Sequence, residues 1–253
     1  MCTFVILRRP GQDWPVLIAA NRDEMIDRPW QPPGRHWPDR PELVAGLDEL
    51  ASGSWLGIND FGVVAGILNR YGSLGPAPGQ RSRGELVLEA LDHADARDAA
   101  AALQKLEPAA YRTFNLIIAD NRDGFWLRHA DPTGTLPITS TEMKPGLSII
   151  AAGDLDDMDT PRLRRYRPLF AALAPPNPAR GDWTQWENLL LDEHFEPSEG
   201  PQGAMRFNTD RGFATVSSAL IALPSAEQLG VKPVFRFAAH HPTPSDWRDV
   251  LDR

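Results

Sequence analysis

The sequence is poor in cysteine and has no long apolar run. Cys2 is the single cysteine among 253 residues, which excludes an intrachain disulfide framework. Because lone thiols are typical of reducing compartments, we predict a cytoplasmic location. No apolar run approaches the roughly 18–20 residues of a membrane span, and the opening residues lack the basic and then apolar pattern of a secretory signal. We therefore expect neither a membrane span nor a leader peptide.

Motifs for metals, phosphates and serine nucleophiles are also lacking. The six histidines form no H-x-H or H-E-x-x-H pattern, so we expect no metal site and no cofactor. No phosphate-binding glycine motif occurs, and residues 53–57 lack the spacing of a G-x-S-x-G elbow. The four aspartates in residues 154–159 lack the glycine and glutamate of an EF-hand, which favours a solvated loop. A cysteine–histidine dyad stays open, since partners in space need not be neighbours in sequence.

The acidic composition bears on domain number and partners. A net charge of −8 would repel a phosphate backbone, so we do not expect nucleic acid as a partner. The chain is long enough for one sizeable core, and its hydrophobic fraction of 42% is ordinary for a globular protein. We predict a single domain over residues 1–253, and the composition leaves the oligomeric state open.

The position of Cys2 is the most informative feature that is present. If Met1 is removed, the thiol and the α-amine of the chain lie on one residue. A thiol with a pKa of about 8.5 and an α-amine of about 7.7–8.0 can act as nucleophile and built-in base near neutral pH. This arrangement is typical of N-terminal-nucleophile hydrolases.

Residues 3–7 and 15–20 are apolar and flank the turn-forming residues 10–13, a pattern that predicts a β-hairpin. A turn centred on the middle of residues 10–13 places Cys2 opposite Asn21. The pairing of the two strands therefore predicts that the thiol lies beside the polar residues that begin at position 21.

Those polar residues are the tetrapeptide Asn21-Arg22-Asp23-Glu24. We expect the positive charge of Arg22 to lower the pKa of the thiol, and the Asp23 carboxylate to hold the α-ammonium group or a water. Four polar residues at the end of a strand are also typical of a solvated turn, which is the alternative interpretation.

Periodicity predicts the remaining elements. The further strands are residues 54–59, 63–68, 114–119, 125–128, 147–151, 215–223 and 234–238. Four helices are predicted. The first begins at Glu85, and the others cover residues 96–106, 160–173 and 184–193. Runs of strands interrupted by paired helices favour an α+β layered sandwich.

Two segments are predicted as loops, and a polar residue ends one strand. Residues 28–41 are rich in proline and tryptophan, and we interpret them as an irregular surface loop. Residues 71–84 are rich in glycine and proline, and we interpret them as a flexible loop and a candidate lid. Asn69 follows an apolar strand, where its amide can serve as an oxyanion-hole donor or as an ordinary turn former.

Seven short blocks of the sequence match a known family in order. They are residues 1–4 (Met-Cys-Thr-Phe), 21–24 (Asn-Arg-Asp-Glu), 54–59 (Ser-Trp-Leu-Gly-Ile-Asn) with Gly62, 68–70 (Leu-Asn-Arg), 82–84 (Ser-Arg-Gly), 114–116 (Phe-Asn-Leu) and 159–161 (Asp-Thr-Pro). Together these blocks resemble the NRDE family, also called the transport and Golgi organisation 2 (TANGO2-like) family.

The resemblance implies an α+β fold, a four-layer αββα sandwich of the N-terminal-nucleophile hydrolase type. The chain is similar in its opening residues to choloylglycine hydrolases and penicillin V acylases, which cleave amide bonds with an N-terminal cysteine. By position, the resemblance implies that Cys2 is the nucleophile, that Arg22 and Asp23 orient and tune it, and that Asn69 binds the oxyanion. The polar residues predicted to bind substrate are Asn21, Arg70 and Asn115.

Two departures from the family pattern keep a second function open. Val216 stands where the family commonly has an arginine, and residues 151–154 lack an expected Ser-Asn pair. We predict an amidohydrolase acting on an amide bond of a small or acylated molecule. The alternative is a non-catalytic carrier of haem or a lipid-like ligand, because eukaryotic members of the family are associated with haem trafficking and lipid metabolism. A purely structural role has no specific feature in its favour.

Overall fold

The structure is a computed structural model that describes residues 2–241 and 244–251. It divides into two compact units, one made of Met1–Arg28 with Pro145–Arg253 and the other of Pro29–Lys144. The prediction of a single domain over residues 1–253 stays a prediction. No α-helix among the described residues is long and apolar enough to cross a bilayer.

The elements follow one another along the chain as strands interrupted by two pairs of helices. The strands are β1 (Thr3–Arg8), β2 (Val16–Met25), β3 (Trp30–Gly34), β4 (Leu43–Asp48), β5 (Leu56–Asn59), β6 (Val64–Asn69), β7 (Phe114–Ala119), β8 (Gly124–His129), β9 (Thr139–Glu142), β10 (Gly146–Ile150), β11 (Phe213–Leu223), β12 (Val234–Ala239) and β13 (Arg248–Asp249). The α-helices are α1 (Gly84–Leu91), α2 (Ala96–Leu103), α3 (Pro161–Ala172) and α4 (Thr184–Leu190).

The first unit contains a six-stranded antiparallel sheet in the order β10-β1-β2-β11-β12-β13. Helices α3 and α4 cover one face of this sheet, because alternate residues of its strands and the apolar stripes of both helices share one core. Large side chains of that core include Tyr166, Trp183 and Trp186, each at most 2% exposed. Strands β1 and β2 carry the start of the chain into the middle of the sheet.

The second unit contains a seven-stranded antiparallel sheet in which β3 to β9 lie in sequence order. Helices α1 and α2 pack on it through leucine and alanine side chains, and Leu86, Val87 and Ala90 are fully buried there. Gly57 allows close packing in this unit, because a Cβ at this position would clash with the Cβ of Ala45 on β4 and lie 2.9 Å from a methyl group of Leu91 on α1.

The hairpin formed by β1 and β2 corrects the predicted register. Thr3 pairs with Asn21, where the sequence predicted Cys2, so the prediction is wrong by one residue. The loop comprises residues 10–14, and this odd number of residues shifts the pairing by one. Trp14 belongs to the loop because its ring packs into the core, where the side chain is only 7% exposed. A polar tetrapeptide beside the chain start nevertheless survives this shift.

The loop predicted for residues 28–41 is partly wrong, because it contains β3. Proline is tolerated there since β3 is an edge strand, and its pairing with β4 is irregular between Gln31 and Gly34. Strands β4, β9 and β13 were not predicted. The remaining predicted strands and all four predicted helices are present with small shifts at their ends, and residues 71–83 form no helix or strand, as predicted.

Candidate active site

The thiol of Cys2 lies against the backbone of Asp23. The Asp23 N–H donates a hydrogen bond to Sγ at 3.4 Å, and the thiol donates to the Asp23 carbonyl at 3.6 Å. Cys2 precedes β1 and is half-buried as a residue. The structure thus brings together the two residues that the sequence predicted as nucleophile and orienting acid.

The tetrapeptide belongs to β2, and its first three residues are buried. Asn21, Arg22 and Asp23 are 2%, 5% and 4% exposed, so the solvated-turn interpretation is wrong for them. Successive side chains of a strand point to opposite faces of the sheet. Asp23 points with Asn21 towards the helices, and Arg22 lies on the other face.

Both oxygens of the Asp23 carboxylate accept hydrogen bonds from buried side chains. Arg162 donates from Nη1 to Oδ2 at 2.8 Å, and Thr215 donates from Oγ1 to Oδ1 at 2.7 Å. The same Arg162 nitrogen donates to Thr3 Oγ1 at 2.8 Å, and Arg162 Nε donates to the Gln202 carbonyl at 3.1 Å. The side chains of this ion pair are 0% and 2% exposed, so it lies in the interior.

Arg162 is a site residue that the sequence reasoning missed. It lies in the first turn of α3, directly after the matched block 159–161. Leu163, Tyr166 and Phe170 form the buried stripe of this helix, and Arg162 precedes Tyr166 by four residues, which places it beside that stripe. A charged side chain on a buried stripe is uncommon unless it is paired. The position of Arg162 beside the buried stripe was therefore a signal in the sequence that this side chain has a buried partner.

The charges around Cys2 and Asp23 shift their pKa values in opposite directions. Burial raises the pKa of the Cys2 thiol, and the Asp23 charge adds to this, whereas Arg22 acts in the predicted lowering direction but is outweighed. Burial alone would raise the pKa of Asp23, yet nearby positive charge, including Arg162, holds it below its ordinary value. The site therefore pairs a neutral thiol with an ionised carboxylate.

Asn21 is held by hydrogen bonds on all its polar atoms. Its Nδ2 donates to the carbonyls of Leu190 and Met205, both at 2.9 Å, and its Oδ1 accepts from Ser218 Oγ at 2.6 Å. These contacts favour a structural role, and the predicted substrate-binding role stays a prediction.

A buried histidine extends this network. His240 Nε2 lies 2.8 Å from Ser218 Oγ, and the hydroxyl proton of Ser218 is already directed to Asn21, so Nε2 must be the donor. Burial, together with the nearby charge of Arg206, lowers the pKa of His240 to about 4, so the imidazole is neutral near pH 7. His240 is not within the hydrogen-bonded set around the thiol that the structure describes.

The other predicted site residues lie in the second unit. Asn69 ends β6 and pairs with Phe114, and both Asn69 and Arg70 are half-buried. Arg70 Nη1 donates to Asn115 Oδ1 at 2.7 Å, and Trp126 Nε1 donates to the same oxygen at 3.1 Å. The structure therefore joins Arg70 and Asn115. The catalytic role of Asn69 and the substrate-binding roles of the other two stay predictions.

Residues 2–241 and 244–251 contain no group of three or more His, Cys, Asp or Glu side chains placed to hold a metal ion. The aspartates of residues 154–159 serve the fold instead. Asp156 Oδ1 accepts from the Ile149 N–H, and Asp157 accepts from the Thr160 hydroxyl just before α3.

Comparison with known families finds one family model that matches the chain. The family model described as "Transport and Golgi organisation 2" matches residues 1–195, more than half of the sequence. The chain belongs to the TANGO2 family. This confirms the resemblance drawn from the seven ordered blocks, which lie within the matched residues. A comparison with curated proteins finds no match.

Solved structures of hydrolases share the fold. Penicillin V acylase from Agrobacterium tumefaciens matches with a TM-score of 0.54 and 15% identity, over 100% of this chain and 87% of that one. The Caenorhabditis elegans ortholog of N-acylethanolamine-hydrolyzing acid amidase matches with a TM-score of 0.56 and 11% identity, over 87% and 92%. The C2A mutant of conjugated bile acid hydrolase from Clostridium perfringens matches with a TM-score of 0.53 and 10% identity, over 100% and 93%.

These neighbours are N-terminal-nucleophile hydrolases, and at such low identity the likeness concerns the fold alone. The predicted fold, an α+β four-layer αββα sandwich of that type, is confirmed.

The raised pKa of Cys2 predicts how the thiol responds to pH. In protein that retains Met1, alkylation by iodoacetamide is expected to reach half its limiting rate at a higher pH than for a free cysteine, whose pKa is about 8.5. Since Cys2 is the single cysteine, mass spectrometry reports it without ambiguity. N-acetylcysteine is the matched reference. A midpoint at or below that of the reference would contradict the shift.

Proposed function

We propose that the chain is an amidohydrolase that uses Cys2 as nucleophile on an amide bond of a small or acylated molecule. The observation that carries the proposal is the contact of Cys2 Sγ with the backbone of Asp23, whose nitrogen lies 3.4 Å from the sulfur. The carboxylate of the same Asp23 forms a buried ion pair with Arg162. The names of the structural neighbours, an acylase, an acid amidase and a bile acid hydrolase, support the same class of reaction.

The chemistry depends on removal of Met1, which leaves a free α-amine on Cys2. Because the pKa of the thiol is raised, little thiolate exists at neutral pH and the attack needs a base. An α-amine with a pKa of about 7.7–8.0 can accept the thiol proton as Sγ attacks the amide carbon. The resulting ammonium then protonates the departing amine, and a thioester forms on Cys2.

Water completes the cycle. It attacks the thioester carbon, the amine takes a proton from that water, and the acid leaves as the thiol is restored. In this proposal the Asp23 carboxylate orients the α-ammonium, and the predicted roles of Asn69, Arg70 and Asn115 remain part of it. The balance of the two steps requires no cofactor.

The proposal also concerns partners and location. A small-molecule substrate is the proposed partner, and the single cysteine supports the predicted cytoplasmic location. The alternative function, a carrier of haem or a lipid-like ligand, is favoured by no contact within the described ranges 2–241 and 244–251.

Trapping of the acyl-enzyme tests the proposal. Purified protein is first checked by mass spectrometry for the loss of Met1, and then mixed with penicillin V, an N-acylethanolamine or a conjugated bile acid and quenched with acid. We expect an acyl adduct on the peptide that begins with Cys2, at a mass set by the acyl group of the probe. Arg164→Gln, a change at an exposed position of α3, is the control and should give the same adduct. Amide cleavage without any adduct on Cys2, or by protein that keeps Met1, would contradict the mechanism.

A further inference from the structure

We propose that Arg162 is a positioning residue, which holds the Asp23 carboxylate ionised and fixed beside Cys2 by one buried hydrogen-bonded contact. The purpose assigned to Arg162 rests on the proposed function, since an anchored carboxylate matters for orienting the α-ammonium of a processed Cys2. The contacts that carry the inference do not depend on that reaction.

The first step concerns charge. The Asp23 and Arg162 side chains are 0% and 2% exposed, and an isolated carboxylate in such surroundings would take up a proton. Thr215 donates to Oδ1 but brings no charge. Among the groups that the structure describes around this carboxylate, the Arg162 guanidinium is the cation in hydrogen-bond contact, with Nη1 2.8 Å from Oδ2.

The second step concerns geometry. Arg162 Nη1 bonds both Asp23 on β2 and Thr3 on β1, so one nitrogen joins the two strands next to Cys2. The guanidinium is itself held, because Nε donates to the Gln202 carbonyl and its carbon lies 5.2 Å from the centroid of the Phe207 ring. A lysine ammonium carries the charge but not this planar arrangement of donors.

The third step links Arg162 to the thiol. Cys2 Sγ contacts the backbone N–H and carbonyl of Asp23, and Cys2 directly precedes Thr3. Arg162 therefore hydrogen-bonds to Asp23, whose backbone contacts the sulfur, and to Thr3, which follows Cys2 in the chain. Loss of these contacts is expected to displace Cys2 relative to the Asp23 carboxylate without removing either group.

Titration of Asp23 by NMR tests the inference. Carboxyl-labelled aspartate is followed against pH in the wild-type chain, with Asp23→Asn assigning the resonance. In Arg162→Gln we expect the Asp23 titration to move to higher pH, because one of the positive charges that offset the effect of burial is then lost while the α-amino group remains. Arg164→Gln, two residues along α3 and exposed, should leave the titration unchanged.

Kinetics with the fastest probe substrate give the second readout. Because a displacement of about 1 Å can cost roughly 10²-fold, Arg162→Gln should lower kcat by about that factor with a smaller change in KM. Arg162→Lys, which keeps the charge, should recover part of the loss. A merely structural arginine would change the amount of folded protein and leave kcat per folded molecule intact.

The outcomes separate the inference from the function. An unchanged Asp23 titration in folded Arg162→Gln overturns the inference, whatever the activity. If Arg162→Gln does not fold, Arg162→Lys decides, and wild-type kcat with an unchanged titration in that variant overturns it. If the wild-type chain hydrolyses no probe, the proposed function fails, while the titration still decides whether Arg162 sets the charge of Asp23.

Discussion

Cys2→Ala is expected to abolish amide hydrolysis, with a fall in kcat of roughly 10⁶-fold, the loss seen when a nucleophile is removed from an enzyme of this mechanistic type. The physical reason follows from the proposed mechanism, in which the thiol that contacts the backbone of Asp23 is the nucleophile. The measurement is the rate of amine release from the probe that the wild-type chain cleaves fastest.

Two controls sharpen this result. Cys2→Ser keeps an α-amine and an oxygen nucleophile, so it should retain a small residual rate above that of Cys2→Ala. Binding of the intact probe by Cys2→Ala should persist, which shows that the fold remains. Turnover by Cys2→Ala above about a hundredth of the wild-type rate would mean that another group performs the attack.

The second large effect concerns stability. Asp23→Asn is expected to lower the free energy of unfolding by about 3–5 kcal/mol, because it leaves the buried Arg162 guanidinium without its anion. An arginine side chain keeps its charge in proteins, so the guanidinium would stay charged and unpaired in the interior. The double variant Asp23→Leu with Arg162→Met replaces both charges by apolar groups and should recover much of the loss. Urea denaturation of the wild-type chain and the variants measures the coupling.

The pH dependence of that difference has a defined sign. The pKa of Asp23 is lowered in the folded chain, so the pair stabilises the fold above the unfolded pKa of about 3.9. This stabilisation disappears as the pH falls through the folded pKa. The stability difference between the wild-type chain and Asp23→Asn should therefore be full at neutral pH and shrink in acid. A difference that grows in acid, or a double variant as unstable as the sum of its singles, would contradict this account.

Local pattern predicted most of the fold, and the exceptions have physical causes. Alternation and helical spacing depend on neighbours in sequence, and strands such as Phe114–Ala119 were predicted to the residue. The register of the first hairpin failed because the packing of Trp14 decides the loop length. Strand β3 contains two prolines, and an edge position that tolerates them is set by tertiary pairing alone.

The residues of the candidate site also differ in whether a local sequence pattern predicts their contacts. Cys2 and Asp23 were predicted together because a hairpin turns a short sequence separation into proximity. Arg162 meets Asp23 across 139 residues, and no local pattern specifies which side chain of α3 will reach the sheet. Asn21 was predicted to contact substrate because it belongs to a conspicuous polar motif, and that role stays a prediction. In the structure its amide donates to two main-chain carbonyls and accepts from Ser218, partners that the local sequence pattern does not specify.

The contacts of Asn21 make its chemical identity a matter of donor count. An aspartate has almost the same shape, but it would set lone pairs against the two carbonyl oxygens that Asn21 now satisfies, while its other oxygen would still accept from Ser218. Deamidation at this single position would therefore repel the segments that carry Leu190 and Met205. Slow deamidation of Asn21, the first residue of the tetrapeptide, would thus weaken the packing of the folded chain over time.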